Sequence, residues 1–190
     1  MGTRPAGLPL QCLTIKAEWC REIFENGKTW EIRGQATTKR NVRVCVAQSK
    51  AKALVGEVTL VDCLLVAERD GRGNLVPASG CPDAIKNFLC NPGNFGKHRI
   101  SDFSIVKYKK KIFAWVLADA RRYTVAVPFF PAVALGSVGF TNLTDELFDV
   151  AADAAAKAKR QAKRVRRSAT SADRRIRSSR RTVSRAALSG

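Results

Sequence analysis

Positions 27–34 read GKTWEIRG and carry three charged side chains, Lys28, Glu31 and Arg33, in a segment that otherwise has the composition of a β-strand. Because side chains alternate between the two faces of a strand, Glu31 and Arg33 share one face, and the apolar residues beside them point towards a core. The same alternation places Lys28 on the face opposite Glu31 and Arg33. It is the first residue of the strand, however, so its long stem can reach round to the same side.

Two interpretations of this triad follow from the chemistry of its side chains. In the first, Arg33 and Lys28 donate hydrogen bonds to phosphate or to a base edge, while Glu31 orients a cation or accepts from a base amino group. In the second, the triad lies on an exposed sheet face, where the Glu31–Arg33 pair contributes little stability. The spacing alone leaves both interpretations open.

Other cations lie at predicted turns and loops. The stretch AQSKA ends a predicted strand, and its hydroxyl and ammonium groups suit phosphate, although an ordinary polar turn explains them equally well. The loop that contains Lys97 and His98 offers a second set of donors. The residues predicted to bind nucleic acid are Lys28, Glu31, Arg33, Ser49, Lys50, Lys52, Lys97 and His98.

The net charge of the chain favours a polyanionic partner. The formal charge is +18 and the isoelectric point is about 10.3, which is typical of proteins that bind nucleic acid. Residues 157–190 hold 13 lysines and arginines against one aspartate, so this basic tail would bind RNA or DNA with steep salt dependence and little sequence preference. A targeting signal is a compatible alternative. The predicted tail contacts are Arg160, Lys163, Arg164, Arg166, Arg167, Arg174 and Arg175.

The cysteines and the histidine give no pattern for a metal site. Six cysteines lie at positions 12, 20, 45, 63, 81 and 90, without a C-x-x-C pair, and His98 is the only histidine. A structural zinc site needs clustered ligands, so we expect no metal and no cofactor. Reduced thiols are typical of an intracellular protein, either cytoplasmic or nuclear.

The hydrophobic periodicity predicts a sheet with few helices. The first residues lack an apolar signal segment, and the longest apolar runs are strand-sized, so we expect no membrane-spanning helix and no membrane partner. Gly56 marks a bulge or a close approach within one long strand. The predicted strands cover 11–16, 28–33, 41–47, 53–67, 112–117, 123–127 and 137–140, with helices over 17–25 and 82–89 and a turn over 119–122.

The segment LTIKAEWCREIFENGKTWEIRG resembles the opening of an ASCH domain, a branch of the PUA-like superfamily. The family signature is Gly-x-Lys-x-x-Glu-x-Arg, which Lys28, Glu31 and Arg33 match. Asn26 stands at the glycine position, with Gly27 one place later. The stretches VGEVTLVDC, KHRISD and FAWVLADARRYTVAVPF extend the resemblance over about residues 10–140.

The resemblance implies an α+β fold, a small PUA-like β-barrel with flanking helices, and a cleft beneath the triad for a nucleotide or an RNA segment. We therefore expect an N-terminal arm at 1–9 and an ASCH domain at 10–140. An alanine-rich basic helix at 141–167 and a disordered Arg/Ser-rich tail at 168–190 would follow. The predicted function is an RNA-binding module, with DNA as the alternative partner. Neither the RNA nor the oligomeric state follows from the sequence.

Catalysis is the less favoured alternative, with Lys28, Glu31 and His98 as candidates. Some ASCH-like proteins resemble an amidohydrolase that acts on N4-acetylcytidine, in which the motif lysine is catalytic and a threonine occupies the position of Glu31. A lysine needs its neutral form to act, and a neighbouring glutamate opposes that form. A ribonuclease would use His98 as general acid or base, but metal-free cleavage usually needs two such groups. A transcription coregulator or interaction module is a further alternative.

Overall fold

The computed structural model describes residues 5–79, 87–128, 140–148 and 160–161. Over these residues the chain forms an α+β domain, as predicted, in which strands predominate. The helices that are described from end to end are α1 (Ala17–Glu25) and the single-turn α2 (Phe95–His98), with 3₁₀ turns at Pro92–Asn94 and Phe103–Ile105. The strands are β1 (Gln11–Ile15), β2 (Trp30–Arg33), β3 (Val42–Gln48), β4 (Ala53–Arg69), β5 (Leu75–Val76), β6 (Lys111–Pro128) and β7 (Phe140–Asn142).

All the described strands belong to one sheet with the order β2-β6-β4-β3-β1-β7, and β5 pairs with one end of β4. The β1–β3 pair is parallel, and the other pairs are antiparallel. Within the described part of the chain this order is open, so the sheet does not close into the predicted small β-barrel. The long β4–β6 pair instead changes register at several points, and such irregularities bend and twist a sheet without closing it.

Strand β6 runs without interruption through the stretch DARR, where the sequence predicted a turn. Asp119 has a φ of 50°, a left-handed conformation that aspartate tolerates better than most residues. The pairing with β4 shifts register beside it, between Glu57 and Thr59. The polar residues are therefore accommodated by a bulge in a continuous strand, and the predicted turn is wrong.

Three apolar clusters pack against the sheet, and one of them joins β2, β4 and β6 to Ile100 and Val106. On the face that carries α1, Ile23 and Cys20 of the helix pack on inward residues of β1, β3, β4 and β6. On the opposite face, a smaller cluster joins the sheet to residues beyond β7. Its members are Cys12, Cys45, Ala47, Leu54, Leu143 and Phe148.

Residues 141 and 142, predicted to begin the basic helix, lie in β7 and pair with β1. Arg160 and Gln161 are helical and exposed. The rest of the predicted helix, the tail at 168–190, and most of the predicted elements at 82–89 and 137–140 lie outside the described residues. In the described ranges, none of the helices has the length and apolar character needed to cross a bilayer.

Gly56 lies where two layers of the fold approach closely, as the sequence predicted. A Cβ atom at this position would lie 2.5 Å from the backbone oxygen of Arg121 and 2.5 Å from the Phe24 ring of α1. The registers of β4 with both of its neighbours shift beside this residue. The missing side chain therefore lets α1 lie directly on the sheet.

Replacing Gly56 with alanine should lower the free energy of unfolding by about 1–3 kcal/mol, because the new methyl group overlaps backbone and ring atoms. Gly71→Ala is the matched control, since a Cβ at that position meets nothing within 4 Å, and it should change stability by less than about 0.5 kcal/mol. Urea denaturation measures both. Equal stabilities of the two variants would contradict the close approach.

Candidate nucleic-acid-binding cleft

The junction between α1 and β2 sets the direction of the triad. Helix α1 ends at Glu25 and is capped by Asn26, whose N–H donates to the backbone oxygen of Glu22. Gly27 follows with a φ of 71°, in the left-handed region that glycine adopts without strain. The N–H of Lys28 also donates to the Glu22 oxygen, at 2.9 Å. This tight turn brings Lys28 to the start of β2 beneath the helix.

The three charged side chains meet at Glu31. One carboxylate oxygen lies 3.3 Å from Lys28 Nζ, and the other lies 3.1 Å from Arg33 Nη2. The exposed fractions of Lys28, Glu31 and Arg33 are only 2, 6 and 6%. The long stem of Lys28 therefore reaches round as predicted, and the alternative of an exposed sheet face is wrong.

Further contacts fix both cations. Lys28 Nζ donates to the backbone oxygens of Trp30 and His98 and lies 5.0 Å from the centroid of the Trp19 ring. Burial lowers the pKa of Lys28, and the neighbouring Glu31 charge opposes this shift. Arg33 Nη2 donates to the backbone oxygen of Thr14 at 2.8 Å.

A cleft of about 330 Å³ opens in front of the triad. The triad forms one wall with Trp19 of α1, and Ser49 contributes from the end of β3. The segment from Ile105 to Tyr108 also lines the cleft, and Lys16 and Lys107 add two further cations. A concave, partly enclosed site of this size can hold a group as large as a single base.

The structure brings only some of the predicted residues into this cleft. Lys50 and Lys52 lie outside its lining, in the β3–β4 turn, where both have positive φ angles. Lys97 bonds Asn94 Oδ1 at 2.9 Å and lies 4.9 Å from the centroid of the Trp30 ring. Like these lysines, His98 contributes no side chain to the cleft. The binding roles of all these residues stay predictions.

His98 is a buried residue behind the cleft, with 1% of its surface exposed. Its Nδ1 accepts a hydrogen bond from the N–H of Ile100 at 3.0 Å, and its ring contacts Phe95 and Phe103. Burial lowers the pKa of His98, the Lys28 charge lowers it further, and the backbone of Leu89 opposes these effects. These contacts hold a neutral imidazole and support the wall that carries Lys28.

Tyr108 is a cleft residue that the sequence analysis missed. Its hydroxyl donates to the backbone oxygen of Ile32 at 3.2 Å, and burial raises its pKa. A Cβ atom at Gly34 would lie 2.4 Å from the Tyr108 ring, so the ring needs a glycine directly after β2. That glycine, next to the triad, was the signal for a close approach.

Comparisons with known proteins give a likeness of fold. No family model matches the chain, and no curated protein matches it. The structure is similar to crystal structures of an ASCH protein from Zymomonas mobilis, with 14% identity, a TM-score of 0.40, and coverage of 73% of this chain and 90% of that one. Two substituted forms of that protein give 12 and 14% identity, TM-scores of 0.40 and 0.42, and coverage of 73 and 75% of this chain and 93 and 95% of theirs.

The lowered pKa of His98 predicts a loss of stability in acid. The unfolded chain binds a proton with a pKa near 6.5 and the folded chain binds it more weakly, so the contribution to stability is full above pH 6.5. Below that value the free energy of unfolding should fall by at most about 1.4 kcal/mol per pH unit. Urea denaturation between pH 7.5 and pH 5 should show this loss in the wild type relative to His98→Gln. Parallel curves for the two proteins would contradict it.

Proposed function

We propose that this chain is an RNA-binding module that holds a nucleotide or a single-stranded RNA segment in the cleft beside Lys28, Glu31 and Arg33. The observation that carries the proposal is the burial of three charged side chains at the wall of a 330 Å³ cleft. Removing charges from water costs several kcal/mol per ion, and the mutual attraction of the ions offsets this only in part. Such groups concentrate at functional sites, where a ligand uses them.

The donors of the cleft suit a nucleotide. Arg33 and Lys107 supply cations for phosphate oxygens, and Glu31 keeps lone pairs that can accept from the amino group of a base. Trp19 and Tyr108 add aromatic surface, which binds a base by stacking without strong sequence preference. An enclosed cleft reaches the edges and faces of an unpaired base but excludes a stacked duplex, which favours a single strand.

The basic tail would act by a different mechanism. Its cations release condensed counterions when they bind phosphates, which increases affinity for any long strand and makes that affinity depend on salt. The cleft would then contribute orientation and preference, and the tail would contribute non-specific attraction. DNA is the alternative partner, because the tail has no group that requires a ribose hydroxyl.

A hydrolase that acts on a modified nucleoside is the second candidate, and the lowered pKa of Lys28 favours it. A neutral amine in the cleft could act as a base or nucleophile, whereas the ion pair with Glu31 stabilises the protonated form. Incubation of wild type and Lys28→Met with N4-acetylcytidine separates these cases. Release of cytidine by the wild type alone would establish the hydrolase. A ribonuclease that uses His98 is disfavoured, since that imidazole does not line the cleft.

Two ligands, a mononucleotide and a longer RNA, test the cleft and the tail independently. For each nucleoside monophosphate that the wild type binds, titration calorimetry should show affinity at least about tenfold weaker in Lys28→Met, because Glu31 loses one of the two cations that fix it at the wall of the cleft. Lys107→Gln should weaken binding several-fold. Lys110→Gln is the matched control, since Lys110 does not line the cleft, and it should bind as the wild type does.

The second ligand is a 30-nucleotide single-stranded RNA. Replacing the seven predicted tail contacts with glutamine should reduce the slope of log K against log salt by about 0.7 for each phosphate that the tail no longer neutralises. Mononucleotide affinity should stay unchanged in this tail variant. If no nucleotide binds the wild type, or if Lys28→Met binds one equally well while remaining folded, the cleft proposal is wrong. An unchanged salt slope would refute the role of the tail.

A further inference from the structure

A second buried charge lies outside the cleft, on strand β4. Glu57 is buried, with 3% of its side chain exposed, and its Oε1 accepts from Arg43 Nη2 at 2.7 Å and from Arg121 Nη2 at 2.8 Å. The other carboxylate oxygen accepts from the hydroxyl of Tyr123 at 3.3 Å. One carboxylate therefore holds two guanidinium groups, from β3 and β6, side by side. We call Arg43 and Arg121 the arginine pair.

The arginine pair faces away from helix α1. In the registers of the sheet, Glu57 stands opposite Cys45 of β3 and Arg121 of β6. Gly56 and Arg122, the neighbouring residues on β4 and β6, point to the opposite face of the sheet. Gly56 lies against the Phe24 ring of α1, and Arg122 forms an ion pair with Glu25 of the same helix. Because side chains alternate between faces, Glu57 and Arg121 lie on the other face.

The charge of this cluster is not balanced. Glu57 needs one cation to neutralise it, and it has two, so one positive charge remains at the surface. The side chains of Arg43 and Arg121 are 50 and 69% exposed. A guanidinium carries five N–H donors, and the donors that face away from the buried carboxylate remain accessible to an anion. The shared contact with Glu57 and the hydroxyl of Tyr123 holds the donors in place before a ligand arrives.

We propose that the arginine pair is a second phosphate-binding site, which takes the phosphodiester backbone of a nucleic-acid strand. Planar guanidinium groups bind phosphate oxygens in pairs, and fixing them in advance lowers the entropy that binding removes. Contacts to phosphate oxygens do not read the bases, so the site contributes position without sequence preference. It rests on the proposed nucleic-acid partner but is independent of the cleft.

The course of the chain supports this site. Phe148 packs with Cys45 and Ala47 on the same face of the sheet as the arginine pair, and the basic segment 157–190 follows it along the chain. Phe148 therefore holds the chain on the face that carries the pair, a few residues before the basic segment begins in the sequence. A long strand bound there would meet both sets of cations, whereas a mononucleotide would need only the cleft.

The test uses the full chain and a 30-nucleotide single-stranded RNA, with anisotropy titrations between 50 and 300 mM salt. Arg43→Gln/Arg121→Gln removes about two phosphate contacts, so the slope of log K against log salt should fall by about 1.4. Arg40→Gln/Arg72→Gln is the matched control, because it removes the same formal charge from exposed positions elsewhere. Its slope should change by less than half as much. Equal changes in the two double variants would overturn the site.

A structural role for the arginines needs separate control, because the double variant leaves Glu57 buried without its cations. The triple variant Arg43→Gln/Glu57→Gln/Arg121→Gln removes that buried charge and lowers the net charge by only one. It should unfold at a higher temperature than the double variant and still show the reduced slope. A triple variant that binds RNA as the wild type does would refute the proposal.

Mononucleotide titrations distinguish this inference from the cleft proposal. The arginine-pair variants should bind a nucleoside monophosphate as the wild type does, whereas Lys28→Met should not. If the arginine-pair variants keep the salt slope of the wild type while Lys28→Met loses nucleotide affinity, the second site is wrong and the cleft stands. If the arginine-pair variants show the reduced slope while no protein binds a nucleotide, the cleft is wrong and the second site stands.

Discussion

The two ion pairs that Glu31 makes with Lys28 and Arg33 are the interaction on which the cleft depends. All three side chains are buried, so each charge is stable there only because the others are present. Removal of the carboxylate would leave two neighbouring cations without a counterion in a low-dielectric site, which typically costs about 3–5 kcal/mol. Glu31 therefore fixes the positions of both cations, whatever contact it makes with a ligand. Because the paired side chains are buried, they keep their positions in the wall of the cleft before a ligand binds.

The rest of the fold holds this pairing in place. Strand β2 carries two of the charges, and its pairing with β6 sets their direction. The loop before β6 also lines the cleft, and its Tyr108 contacts the backbone of β2 over Gly34. The sheet then separates the cleft from the arginine pair on its other face. Both sites use one principle, in which a buried glutamate holds two cations that would otherwise repel each other.

Local signals allowed much of the site to be predicted from the sequence. Helix α1 has the predicted bounds, and the Asn26–Gly27 turn delivers Lys28 to β2 because only a left-handed residue makes that turn easily. The failures concern non-local packing. Tyr108 and Gly34 are in contact but lie far apart in the sequence, and no pattern within KYKKK indicates that they meet. The continuity of β6 depends on its pairing with β4, which outweighed the turn preference of DARR. The prediction of a barrel was wrong for the same reason, since local patterns do not specify which strands lie at the edges of the sheet.

A crystal structure of the protein soaked with a nucleoside monophosphate tests directly whether the cleft binds a nucleotide. The nucleotide should occupy the cleft, with its phosphate or base edge within hydrogen-bonding distance of Arg33, Glu31 or Lys107, its base against Trp19 or Tyr108, and the Glu31 ion pairs intact. A nucleotide bound only elsewhere on the surface, with the cleft empty in crystals whose lattice leaves it open, would show that the cleft is not the binding site.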